Sequence, residues 1–299
     1  MNDLFLYAAY GLVFELPFAC PALPPAPEDS APDVIVSEGP VPTQLADLVD
    51  QGAVWQSGAT AFLSFAGRRV GRFLIEEGRR ITIQRSPAAT DARLCLHLLT
   101  SAMSIVLRQR GMLVLHASAV AGPNGALVLT GAPGSGKSTT LAALLQKGCQ
   151  LLADDLTAIR IEGGGALVVP GVPQFKLGRA AAANLGQVTD GLTERRGRRM
   201  KLVNPAAVAC SNTPLRAFCQ LQPEDTQSLR CELVTGARKF EALDACLYGP
   251  VYPADRLVLF PLVTAVLART AVYRVIRPIE GWSVDAVVET LLGSRETSG

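Results

Sequence analysis

The sequence predicts an α/β fold: a phosphate-binding loop core at 111–299, preceded by a small α+β module at 1–110. Three observations lead there. Gly131-Ala132-Pro133-Gly134-Ser135-Gly136-Lys137-Ser138 fits the G-x-x-x-x-G-K-[ST] pattern. An apolar run, Leu127 to Thr130, precedes it as a strand, and the helix-forming stretch Thr139 to Leu145 follows, with Gly148 as a stop. Between Val54 and Ile83 the apolar period is two, which marks a β-meander rather than more of the same core.

Taken in order, Leu4–Tyr7 and Leu12–Phe14 read as short strands. Prolines at 21, 24, 25, 27, 32, 40 and 42 then make a connector, passive or binding, with Val34-Ile35-Val36 as an edge strand inside it. The meander comprises Phe62–Phe65, Val70–Ile75 and Ile81–Ile83, with glycine turns at Gly67 and Gly78. Ala92 to Arg108 carries an apolar stripe (Leu94, Leu98, Ala102, Ile105) and reads as a helix capped by Thr90 or Asp91 and stopped at Gly111. A strand at Met112–Leu115 leads to His116 and, past a turn at 122–125, to the loop strand.

Beyond the loop helix, Cys149–Ala153 is a strand ending in Asp154-Asp155. Leu156–Ile161 and Ala166–Val169 make a hairpin, and Ala180–Leu185 a short helix. Glu194 to Lys201 holds Arg195, Arg196, Arg198, Arg199 and Lys201, either a solvated loop or an anion-facing one. Leu215–Leu221 and Cys231–Val234 are strands. Pro261–Ala268 suits a helix with proline in its first turn, Ala271–Ile276 a strand, and Ser283 caps a last helix.

Composition narrows the function. The 299 residues are 49% apolar and 18% charged with net charge +2, which describes a globular chain with no global pull toward nucleic acid or an anionic membrane. Seven scattered cysteines without a C-x-x-C, beside two histidines, point to free thiols in a reducing cytoplasm rather than to a zinc site. The apolar N-terminus lacks a basic flank, and Leu257–Ala268 is too short to span a bilayer, so a soluble, cytoplasmic protein is expected.

The loop defines the expected chemistry. Gly131, Gly134 and Gly136 permit the tight turn that converges N–H groups on a phosphate, and the helix N-terminus adds its dipole. Pro133, Ser135 and Thr139 complete the expected nucleotide contacts. Lys137 supplies a charge for the β- and γ-phosphates and Ser138 a hydroxyl for Mg²⁺, so ATP and Mg²⁺ are the expected cofactors. A strand-end carboxylate beside such a loop is where a metal ion or a proton acceptor belongs, which singles out Asp154 and Asp155.

His116, the loop ending in Lys137-Ser138, and Ala153-Asp154-Asp155 together resemble HPr kinase/phosphorylase in order and spacing over about residues 111–162. The resemblance implies a core of the HPr kinase and phosphoenolpyruvate carboxykinase-like type and ATP-dependent phosphorylation of a serine hydroxyl. It also implies Asp154 as the base, Asp155 holding metal or loop, and His116 orienting Asp154 or the phosphates. The family's C-terminal signature arginine has no counterpart, so the reverse reaction and HPr itself are not implied. Leu115-His116-Ala117-Ser118-Ala119-Val120, Pro173-Gln174-Phe175-Lys176-Leu177 and the basic run more closely resemble the HPr-kinase-like proteins of lasso-peptide biosynthesis. That resemblance implies a peptide serine as acceptor and, by analogy, a homo-oligomer. A small hydroxylated metabolite as acceptor, or a non-catalytic nucleotide-binding regulatory module, are the readings set against it.

Overall fold

The computed structural model describes residues 4–186, 193–195, 198–203, 205–249 and 253–293, with side chains throughout except in 193–203 and 253–257. The chain forms mixed α/β structure in two units: Met1–Val114 with Tyr248–Leu262, and Leu115–Leu247 with Val263–Gly299. The sequence reading set a single boundary near residue 110 and provided for no return of the chain to the first unit.

In the first unit, β1 (Phe5–Ala9) and β2 (Leu12–Leu16) form a hairpin. After them come β3 (Val34–Glu38), β4 (Leu48–Gly52), β5 (Trp55–Gly58), β6 (Ala61–Phe65), β7 (Gly71–Glu76) and β8 (Arg80–Arg85). The sheet order is β1-β2-β3-β8-β7-β6-β5-β4. β3 was expected at an edge, because prolines flank it. It lies inside the sheet instead, parallel to both β2 and β8. The prolines all fall outside residues 34–38, so every ladder N–H within the strand is available.

The expected helix is α1 (Asp91–His97), a π-helical turn at Leu98–Ala102, and α2 (Met103–Gln109). Thr90 occupies the N-cap without a side-chain cap bond, while Asp91 pairs with Arg85 at 2.7 Å. Helix and meander are tied at the Gly78 turn: its N–H donates to Gln109 Oε1 (2.7 Å) and its carbonyl accepts from Arg110 Nη1 (2.8 Å).

After β9 (Leu113–Leu115), the second unit comprises β10 (Ser118–Gly122), β11 (Gly125–Thr130), α3 (Lys137–Gln146), β12 (Gln150–Ala153), β13 (Thr157–Glu162), β14 (Gly165–Val169), β15 (Phe175–Gly178) and α4 (Arg179–Asn184). Then follow β16 (Thr193–Arg195), β17 (Arg198–Val203), β18 (Thr213–Glu224), β19 (Arg230–Val234), α5 (Arg238–Asp244), α6 (Pro253–Arg269), β20 (Ala271–Pro278) and α7 (Val284–Gly293). β11, β18 and β20 are parallel neighbours, and β10 runs antiparallel between β11 and β12. Leu141 and Leu144 of α3 and Val287, Val288 and Leu291 of α7 pack with Leu127, Leu129, Cys219, Leu221 and Val275 of the sheet in one buried cluster. α6 begins earlier than expected. Pro253 takes the first position and Pro261 falls inside the helix, where it forfeits one backbone hydrogen bond. Ser283 precedes α7, but its buried hydroxyl has no partner among the described residues, so it caps through its carbonyl alone, accepting from Val287 N–H at 3.1 Å.

No described helix is long and apolar enough to cross a membrane.

Candidate functional site

The expected site residues converge in the second unit. A cleft of about 280 Å³ is lined by His116, Ser118, Pro133, Gly134, Gly136, Lys137, Ser138, Thr139, Asp154 and Asp155, among others. Three parts of the fold deliver them: the glycine-rich loop between β11 and α3, the end of β12, and the start of β10.

The loop's shape depends on its glycines. Gly131, Gly134 and Gly136 have φ of 132°, 88° and 105°, a region that L side chains seldom enter. At Gly131 a Cβ would also lie 2.4 Å from the Leu221 carbonyl oxygen on β18. The parallel pairing of Thr130 with Gln220 brings that carbonyl to the point where the loop leaves the sheet. Ser135, within the loop, is buried, and its Oγ has no hydrogen-bond partner among the described residues.

Lys137 turns back on the loop. Its ammonium donates to the carbonyls of Gly131 (2.7 Å) and Ala132 (3.3 Å). Burial pushes its pKa down, while the Cys246 thiol and the two aspartates oppose that shift. Cys246, behind the loop, has its thiol pushed up by burial, and its carbonyl accepts from His116 N–H at 2.7 Å.

The two aspartates differ. Asp154 Oδ1 accepts from the Ser118 hydroxyl at 2.6 Å and Oδ2 from the Lys176 backbone N–H at 3.0 Å. Burial of the carboxyl raises its pKa above the ordinary 3.8, and these two bonds only partly offset the effect. Asp155 has φ +70°, an uncommon conformation for a residue with a side chain. Its carboxylate forms an ion pair with Lys176 Nζ. His116 Nδ1 lies 3.1 Å from the Asp155 carbonyl oxygen and 3.8 Å from Oδ1. The metal role expected of Asp155 therefore meets a competitor, because an ammonium already compensates its charge.

Sequence reasoning did not assign Ser118, Lys176 or Arg277 to the site. Ser118 and Lys176 lie within segments already quoted for their resemblance, yet only the tertiary structure shows that they reach Asp154, Ser118 from β10 paired with β12 and Lys176 from β15 of a separate sheet. Arg277, at the end of β20, donates from Nε to the Ser135 carbonyl at 3.0 Å; at that sequence separation, only the strand order reveals the contact. Of the basic run, Arg196 lies outside the described residues, and Arg195, Arg198, Arg199 and Lys201 are described by their backbone alone. β17 pairs with β15 so that Leu202 faces Lys176 and Lys201 faces Leu177 across the ladder, which puts the run's backbone beside the strand that carries Lys176.

No protein-family model matches the chain, and no curated protein matches it. Among solved structures, the HPr(Ser) kinase/phosphatase from Coxiella burnetii is similar over 60% of this chain and 93% of its own, with 16% identity and a TM-score of 0.31. At that score the likeness decides nothing about chemistry, and the case for function stands on the cleft itself: a glycine-rich loop, a lysine turned onto it, and a half-buried carboxylate.

Proposed function

We propose that this chain is an ATP- and Mg²⁺-dependent kinase of the HPr-kinase-like, P-loop type that phosphorylates a serine hydroxyl, with a ribosomal precursor peptide of the lasso type as acceptor. The observation that carries the reading is the meeting in one cleft of the glycine-rich loop, Lys137, Ser138 and the half-buried Asp154.

The residues fit the groups this reading requires. The positive-φ glycines leave the loop's backbone open to close approach, the buried Ser135 hydroxyl is unpartnered among the described residues, and α3 presents its N-terminus at Lys137. Ser138 lines the cleft and would hold the metal ion together with the nucleotide's own oxygens. Bound Mg²⁺-ATP supplies the phosphoryl group and the metal charge that stabilises it in transit.

The chain's own residues do the rest. Lys137, now on the Gly131 and Ala132 carbonyls, would hold the phosphate oxygens instead. Asp154, with its pKa raised by burial, would accept the serine proton as the hydroxyl oxygen bonds to the γ-phosphorus and ADP leaves. Ser118 and the Lys176 amide hold the carboxylate in place for that transfer. Lys176 in turn anchors Asp155, which His116 meets at its carbonyl.

Intact-mass spectrometry of precursor peptides incubated with the protein, ATP and Mg²⁺ tests the reading. Wild type should add one phosphoryl group to a peptide serine. Lys137→Ala should weaken nucleotide binding by roughly tenfold or more. Asp154→Asn should keep that binding and slow transfer by about 10²–10⁴-fold. Nucleotide binding without transfer to any peptide would overturn the acceptor and favour a metabolite kinase or a regulatory nucleotide sensor.

A further inference from the structure

The parallel strands β11, β18 and β20 do not end level. β11 ends at Thr130, opposite Gln220 of β18, whereas β20 runs on until Arg277 stands opposite Pro223. Arg277 therefore emerges from the sheet three residues beyond the point where the glycine-rich loop departs, alongside the loop itself.

Its guanidinium uses that position. Nε donates to the Ser135 carbonyl at 3.0 Å and Nη1 to the Pro278 carbonyl at 2.9 Å. A Cβ placed on Gly136 would lie 3.3 Å from Nη2 and 3.4 Å from Nε, so the guanidinium sits directly beside Gly136, which lines the cleft. Both acceptors are neutral carbonyls. Among the described residues Arg277 has no carboxylate partner, and Nη2 donates to nothing. A half-buried cation without a counter-charge is costly unless an anion comes to it.

The Ser135–Gly136 peptide is trans, so its C=O and N–H lie in one plane and point in opposite directions across the C–N bond. Fixing the carbonyl toward Arg277 fixes the Gly136 N–H on the other side.

We propose that Arg277 is a positioning residue of the phosphate loop: it sets the orientation of the Ser135–Gly136 peptide and completes the positive field of a site for a nucleoside di- or triphosphate. The inference rests on the proposed nucleotide-binding function and adds a determinant that lies outside the loop motif, on a separate strand. It acts on ground-state and transition-state binding alike, so its loss raises KM and leaves kcat nearly unchanged.

The test is calorimetric titration of the full chain with Mg²⁺-ADP, for wild type, Arg277→Met and Arg277→Lys, with melting of each protein in the absence of nucleotide. Arg277→Met should weaken ADP binding by roughly tenfold, and Arg277→Lys, which keeps the charge and loses the fork, by less. The gap between wild type and Arg277→Met should narrow as ionic strength rises from about 0.05 to about 0.5 M, a response that a packing defect would not give. Equal ADP affinity in wild type and Arg277→Met overturns the inference while leaving the nucleotide-binding function intact. So does a gap that salt leaves unchanged. If Arg277→Met fails to fold, the lysine variant decides: affinity reduced at an unchanged melting temperature supports the inference, and wild-type affinity overturns it. Wild type that binds no ADP overturns the proposed function and this inference together.

Discussion

Asp154 and His97 are both titratable groups partly withdrawn from water, and their surroundings treat them differently. Asp154 gains two hydrogen bonds to its charged form and still has its pKa raised, because burial outweighs them. His97 of the first unit packs 4.5 Å from the Phe73 ring, with Ser64 Oγ 3.3 Å from its Nε2, and burial alone pushes it down to about 4 from 6.5. A histidine whose folded pKa is depressed contributes stability that is complete above pH 6.5 and lost as pH falls through the folded value. The shift corresponds to about 3 kcal/mol across that window. Urea unfolding at pH 7.5 and at pH 4 should show a loss of this size in wild type, and a clearly smaller one in His97→Gln, which cannot ionise. The pair of aspartates was legible as a site from their place at a strand end. That Ser118 and Lys176 hold the Asp154 carboxylate was not, because both reach it from elsewhere in the sequence.

At the scale of elements, strand, loop and helix around 125–146 follow closely from local chemistry. Glycines at 131, 134 and 136 are needed where φ is positive, and that need is written in the motif. The three are not equivalent. Gly131→Ala adds a clash with the Leu221 carbonyl to the backbone strain, whereas a Cβ at Gly134 meets nothing within 4 Å. Gly131→Ala should cost about 1–3 kcal/mol more than Gly134→Ala in urea unfolding; equal losses would mean that β18 does not press on the loop. β3 and α6 were less legible. Proline counting demoted β3 to an edge and started α6 eight residues late, since proline removes only its own backbone donor and leaves the other residues of a strand or helix free to pair.

For the molecule as a whole, the chain's path matters more than its composition. The first unit is not a contiguous segment: Tyr248–Leu262 belongs with Met1–Val114. Within it, Val258, Leu259 and Leu262 line a groove of about 250 Å³ with Phe62, Ile105 and Arg108, and Leu259 is buried. A fragment ending at Val114 would leave that groove uncovered, forfeiting about 2 kcal/mol for Leu259 alone. Such a fragment should melt well below the temperature at which the same residues unfold in the full chain. Adding a peptide of residues 248–262 should raise its melting temperature. A fragment as stable as the intact unit would show that the returning segment contributes nothing.

By itself the sequence determined the features that depend on neighbours along the chain: the glycine-rich loop with its strand and helix, the meander, and the aspartates closing β12. Local steric rules and hydrophobic period are sufficient for these. Only the tertiary structure decided which residues meet from afar. It interleaved β3 with β2 and β8, joined residues 248–262 to the first unit, set Ser118 and Lys176 on Asp154, and brought Arg277 to Ser135. Such contacts depend on strand order and on how far each strand runs past its neighbour, and neither leaves a periodic trace in the sequence.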